Sequence, residues 1–291
     1  MRNLLFRCSF AGTNYFGFQK QKRFISIEET LEKAFMEQTG EQVTVIGCGR
    51  TDARVHAMNF YFNVVTDSGI PEDRFPLALN CILPDDIAVH ECREVPMEFH
   101  ARYHTKGKTY LYQIWNDRTR NALLADRTYF YPGEVDVEKI YDMDPMRVHS
   151  ITLLKDAAAT VLYGSRAANG VVVMESRAPE AGKDLCGTHD FSAFMAAGAQ
   201  VKSPIRTIYD LTVEKSGPMI SIEVTGNGFL YNMVRIIAGT LLKIGRGSFP
   251  EDCIPGILEG RDRRKAGSTA PPQGLYLKEV YYDISKFENR R

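Results

Sequence analysis

The chain has 291 residues, with 36 basic and 36 acidic side chains, 44% hydrophobic and 25% charged residues. At roughly 150 residues per domain that length suggests two domains, each able to bury a core, and the composition excludes a disordered chain. No apolar stretch approaches the roughly 18 residues of a membrane span, and the opening MRNLLFRCSF is too short and too soon interrupted by Arg7 to read as a signal peptide. The expectation is a cytoplasmic enzyme with no membrane partner.

Zero net charge does not exclude a nucleic-acid partner, because charge acts locally. Basic residues gather at 20–23, 118–127 and 261–265. The six cysteines are scattered without a CxxC pair, which argues against a zinc site or a disulfide framework and fits reduced thiols. His100 and His104 are spaced to share a helix face as metal ligands, but they lack the HExxH context.

In chain order, residues 3–10 alternate as a strand, and AGTNYFG follows as a turn. Ser26 opens a helix as N-cap with Glu29 at its third position, a capping box; Ile27, Thr30, Leu31, Ala34 and Phe35 form the apolar stripe, and Gly40 ends it. Strands are expected at 42–46, 59–65 and 88–95, with a helix at 71–81. Residues 108–115 read as a strand with Tyr110, Tyr112 and Ile114 on one face. Further strands fall at 208–215, 219–225 and 275–282, and a helix at 231–244. Two comparable α/β units result: an α+β chain of two similar halves, antiparallel-rich, around a central cleft. The expected division is 1–105 and 106–291.

The loop Gly47-Cys48-Gly49-Arg50-Thr51-Asp52-Ala53-Arg54-Val55-His56-Ala57 carries the densest chemistry. Its glycines permit sharp turns beyond a strand end, bringing Arg50 and Asp52 close together. A carboxylate beside guanidinium groups stays ionised, which suits a nucleophile or a base, although such a pair can also merely stiffen a loop. Arg235 stands in an apolar helix among Leu230, Met233, Val234, Ile236, Ile237 and Leu241. A charge there needs a buried partner, which the helix pattern alone does not identify.

The loop resembles the GRTDAGVHA motif of the tRNA pseudouridine synthase A family. So do FGFQKQ at 16–21, KTYLY at 108–112, CGTHDFSAF at 186–194, SPIRTI at 203–208 and GNGFLYNMVRIIAGTLLKIG at 226–245, in the family order. The resemblance implies the pseudouridine synthase fold, two similar halves around a basic cleft, in a homodimer that needs no cofactor and no metal. It also implies isomerisation of uridine to pseudouridine at nucleotides 38 to 40 of the tRNA anticodon stem-loop. Asp52 matches the catalytic aspartate that starts cleavage of the base–sugar bond. Arg50 matches the arginine that helps extrude the target nucleotide from the stack. Tyr110 matches the tyrosine that stacks on the flipped uracil, and Arg235 the arginine that pairs with the aspartate; Tyr112 reads as core. Lys20, Lys22, Arg23, the 118–127 stretch, His189 and Asp190 are candidate RNA contacts, the last two equally suited to capping a loop.

Two departures stand out. Arg54 occupies the position of a family glycine; if that position needs a positive φ, a side chain there costs on the order of 1 kcal/mol. The second is a 36-residue stretch, 144–179, between residues 136–143, which look like a family helix, and its expected continuation at 180–187. LKDAAATVLYGSRAANGVV within it resembles a plug segment of SusC-like TonB-dependent transporters. It reads as strand 151–154, helix 157–162 and strand 171–174, an in-frame insertion into an enzyme of 255 residues. Arg50, Asp52, Tyr110 and Arg235 all lie outside it. The alternative function is a catalytically impaired tRNA-binding or RNA-folding protein, with the insert as the cause of the impairment.

Overall fold

The computed structural model describes residues 1–140, 150–154, 171–175, 181–198 and 201–282. Among these, ten strands form one sheet whose main path runs β4-β1-β3-β12-β5-β11-β10-β9; β2 pairs with β3, and β6 with β5. The N-terminal half supplies β1 (Arg2–Phe10), β2 (Ile46–Gly47), β3 (His56–Thr66) and β4 (Ile87–Val95), with α1 (Ile27–Thr39) and α2 (Phe75–Asn80). The C-terminal half supplies β5 (Gly107–Trp115), β6 (Tyr129–Phe130), β9 (Gly187–Asp190), β10 (Ile205–Ser216), β11 (Met219–Gly226) and β12 (Leu275–Tyr281), with α3 (Met233–Gly245) and α4 (Cys253–Gly260). β7 (Ser150–Leu154) and β8 (Val171–Glu175) pair antiparallel as a separate two-stranded sheet, at the positions where the sequence predicts strands. The helix expected at 157–162 lies outside the described residues, as does most of the plug-like string.

Two cores form, one mostly from each half; Leu277 and Val280 of β12 join the first, and Val55 joins the second. In the first, Phe6 stacks on Phe62 at 5.0 Å and meets Phe35 of α1 and Phe75 of α2 edge-on at 5.4 and 5.3 Å, so aromatic contacts seat both helices on β1 and β3. α1 begins as the capping residues dictate. Ser26 Oγ accepts from Glu29 N at 3.2 Å, and Gly40 closes the helix with φ 75°. Glu29 does not return the bond, because its carboxylate pairs with Lys33 at 2.7 Å. In the second core α3 packs against Leu211, Ile220, Ile222 and Val224.

The last strand joins the halves. β12 lies between β3, parallel to it through Tyr276 and Leu277, and β5, antiparallel to it, so the two halves share one continuous sheet.

Several local expectations are corrected. Residues 42–45 form no strand; pairing begins only at Ile46, although Val43 and Val45 are buried. The helix expected from 71 starts at Phe75, after a turn in which Arg74 N bonds Pro71 O. Residues 136–140 form no helix; they turn, with Ile140 N bonded to Val137 O, and 141–143 lie outside the described residues. His100 and His104 sit on a turn, not a helix face, and His104 Nδ1 accepts from His100 N at 2.9 Å. Among the described residues no helix is long and apolar enough to cross a membrane.

α3 approaches its neighbour closely at Gly239. A Cβ there would stand 1.9 Å from the Ser268 carbonyl oxygen. Gly239→Ala must therefore displace the segment around Ser268, an overpacking that costs about 1–3 kcal/mol. The expected result is a Tm lower by roughly 3–9 °C for a chain of this size. An unchanged melting curve by differential scanning calorimetry would contradict the packing described.

Candidate active site

The turn that presents Asp52 closes with Val55 N bonded to the Asp52 carbonyl at 3.2 Å. Arg54 is its third residue and has φ 67°, the conformation for which glycine is suited, so the positive φ inferred for the family glycine is present here with an arginine in it. The Arg54 guanidinium is held by Asp126 at 2.9 Å, an exposed pair worth little against the backbone cost. From the other side, Gly17 presses on the turn: a Cβ at Gly17 would lie 2.3 Å from the Thr51 carbonyl oxygen. Arg54 N donates to Tyr15 O at 3.1 Å and Phe18 N to Thr51 O at 3.4 Å, so 15–18 and 51–54 brace each other.

Arg235 reaches the turn from the first turn of α3. It stands out there because nearly every neighbour on the helix is buried and apolar. Its Nε donates to Ala270 O at 2.7 Å and its Nη1 to Asn232 Oδ1 at 2.8 Å, while Ala270 N donates back to the Arg235 carbonyl at 3.0 Å. Asn232, left-handed at φ 59°, begins the helix and turns its amide oxygen toward the guanidinium. So fixed, Arg235 Nη1 lies 3.5 Å from Asp52 Oδ2, with the Arg235 side chain 15% and the Asp52 side chain 32% exposed. Burial raises the Asp52 carboxyl above its ordinary value, and the Arg235 charge opposes that rise. The carboxylate is thus both basic for its kind and still reachable.

Tyr110 is partly buried on β5, its ring edge-on to Phe229 at 5.1 Å, and its phenol is raised by burial and by the nearby Cys48 and Asp52. Its hydroxyl has no partner among the described residues. Tyr112 is the core residue expected, fully buried, with its hydroxyl donating to Pro271 O at 2.7 Å. Arg50 is exposed and makes no ion pair or hydrogen bond among the described residues; the guanidinium beside Asp52 belongs to Arg235, not to its neighbour in the loop.

Two residues of the site were missed by sequence reasoning. Lys108 Nζ donates to Cys48 O at 2.9 Å, tying β5 to the start of the loop, and burial lowers its ammonium below the ordinary value. Its place in KTYLY, next but one to Tyr110, was the available signal. His56, at the loop's far end, is buried; its Nδ1 accepts from Gly12 N at 3.1 Å and its ring stacks on Tyr276 at 4.7 Å.

Burial, reinforced by the Arg127 charge, lowers His56 from 6.5 to about 4. Unfolded chains bind a proton there near 6.5 and the folded chain only near 4. The stabilisation is therefore complete above 6.5 and lost as pH falls through the folded value, on the order of 3 kcal/mol in all. Urea unfolding at pH 7 and pH 4.5 should show a larger loss for the wild type than for His56→Gln; equal losses would contradict this assignment.

Of the candidate RNA contacts, several are engaged in the protein. Lys20 pairs with Glu32 at 2.8 Å, and Arg127 Nη1 lies 3.3 Å from His56 Nδ1. Asp190 caps its own loop, accepting from Ser192 N and Oγ at 3.0 and 2.6 Å, and pairs with Arg261 at 3.3 Å. His189 Nε2 lies 2.8 Å from Cys186 O. Lys22, Arg23, Arg118 and Arg120 are exposed.

A largely antiparallel sheet shared by two α/β halves, with an aspartate loop answered by an arginine from a buried helix, is the pseudouridine synthase fold. The family model described as tRNA pseudouridine synthase matches residues 8–104 and 181–283. The tRNA pseudouridine synthase A of Acetivibrio thermocellus is 44% identical over 282 residues, covering 97% of this chain and 100% of the relative. That of Ruminiclostridium cellulolyticum is 43% identical over 283 residues and that of Caldicellulosiruptor bescii 41% over 282, each with the same coverage. The chain belongs to the tRNA pseudouridine synthase family.

Proposed function

We propose that this protein isomerises uridine to pseudouridine in the anticodon stem-loop of tRNA, at nucleotides 38 to 40. The observation that carries the reading is the Asp52 carboxylate, presented on a partly buried turn and held 3.5 Å from a fixed Arg235. In the reaction the bond from ribose C1′ to uracil N1 breaks, a bond from C1′ to C5 forms, C5 loses its proton, and N1 ends with one, so the product is an isomer of the substrate. Electrons balance within the nucleotide, so no cofactor is required. Asp52 initiates cleavage, Arg235 keeps it ionised and aimed, and Arg50, exposed on the same loop, helps extrude the nucleotide. Tyr110 offers its ring to the freed uracil. A duplex-like stem must give up the target base before any of this, at a cost of a few kcal/mol.

The two units 1–105 and 106–291, the second interrupted at 144–179, are the division we favour; the two cores support it. Ile140 O accepts from Gly182 N at 3.1 Å and both Ile140 and Ala181 are fully buried, which supports an insertion whose flanks meet in the core. Removal of 144–179 should accordingly leave a folded protein with pseudouridine-forming activity; a deletion variant that unfolds or is inactive beside an active full-length chain would contradict it. The same resemblance implies a homodimer acting in the cytoplasm. The impaired-enzyme alternative is disfavoured by the intact Asp52–Arg235 pair. Release of tritium from tRNA labelled at uridine C5 tests the reaction directly: full-length protein should release it with turnover, and tRNA binding without release would favour the alternative.

A further inference from the structure

Beside the aspartate turn, Phe16 and Phe24 stack face to face at 4.0 Å with 18° between their planes, yet 45% and 46% of their surfaces remain exposed. Ile25 next to them is 61% exposed. The pair is built deliberately by the backbone: Phe16 N donates to Ile25 O at 3.0 Å and Gln21 Nε2 to Phe16 O at 2.8 Å, closing 16–25 into a compact loop. That loop is anchored to the turn through Tyr15 O and Arg54 N. Lys22 and Arg23, at its tip, are exposed and unpaired among the described residues, whereas Lys20 is spent on Glu32.

We propose that the Phe16–Phe24 pair is a stacking platform for an unpaired base of the substrate RNA adjacent to the target uridine, with Lys22 and Arg23 meeting the flanking phosphates. This rests on the functional reading above. Extruding a uridine leaves its neighbours without a stacking partner, and an aromatic face supplies one whatever the base, because every base has a π-face. Unpaired cations beside the rings match a polyanion better than the apolar surface of a protein partner. An outer face of the pair extends the stack by one base.

The test compares full-length wild type with Phe24→Ala, Phe24→Leu and Phe24→Tyr. Each is measured by tritium release and by fluorescence of an anticodon stem-loop RNA carrying 2-aminopurine next to the target uridine. Phe24→Ala and Phe24→Leu should raise KM by on the order of tenfold, more than they lower kcat, and should lose the quenching that stacking on the ring produces; Phe24→Tyr should keep both. Wild-type KM in Phe24→Leu, or a Phe24→Tyr as impaired as Phe24→Ala, would overturn the platform. Thermal unfolding of the variants, whose altered ring is half-exposed, separates misfolding from lost stacking. Were wild type to release no tritium, the functional reading would fail, while the 2-aminopurine signal would still decide the platform by itself.

Discussion

On the proposed mechanism Asp52→Ala should abolish pseudouridine formation, lowering the rate on the order of 10⁴-fold or more, as removal of the group that begins a reaction does. Affinity for tRNA should change by no more than a few-fold, because phosphate contacts and shape dominate binding and Asp52 adds a negative charge to neither. The isosteric Asp52→Asn should be as inactive, since shape is retained and only the carboxylate is lost. Filter binding and tritium release on the same preparations check both halves. An active Asp52→Ala protein would remove the assigned chemistry altogether.

Arg235→Leu is the second large effect. The guanidinium holds three acceptors at once, Ala270 O, Asn232 Oδ1 and Asp52 Oδ2, and leucine satisfies none. Unpaired polar groups at a mostly buried site cost about 1–3 kcal/mol of stability. The rate should fall roughly 10²-fold, as for loss of one oriented charge partner at a reacting centre. The pH profile supplies the sharper signature. Burial already raises Asp52 and Arg235 holds it down, so removing Arg235 raises it further. The reaction needs the ionised carboxylate, so activity disappears at a higher pH on the acid side in the variant than in wild type. Arg235→Lys keeps the charge without the fork and should fall between them. An acid limb that does not move in Arg235→Leu would contradict the electrostatic role.

Much of this site was legible because its chemistry leaves local traces. A charge in an otherwise apolar helix demands a partner, and the family resemblance supplied Asp52 as that partner of Arg235. The capping residues Ser26 and Gly40 place α1 to within a residue at each end. What stayed hidden depends on contacts distant in sequence. Proximity in the loop suggested that Arg50 also lies against Asp52, whereas Arg50 is exposed and makes no ion pair or hydrogen bond among the described residues. The Ala270 carbonyl that fixes Arg235 is a backbone atom with no side-chain signature. Nothing local to residues 275–281 announces that the last strand lies at the middle of the sheet. Residues 42–45 alternate like a strand yet lack a neighbour to pair with, and residues 136–140 have helical character but form a turn that ends at the buried Ile140. Short elements such as β9 and α4 carry too little periodicity to read.

The central claim is that this chain forms pseudouridine in the anticodon stem-loop with Asp52 as the initiating group. Chemical mapping of pseudouridine in unmodified tRNA, after incubation with the full-length protein, tests it most directly. Stops in reverse transcription reporting pseudouridine at nucleotides 38 to 40, absent with Asp52→Ala, are the predicted result. No pseudouridine at those nucleotides, under conditions in which the tRNA is bound, would contradict it.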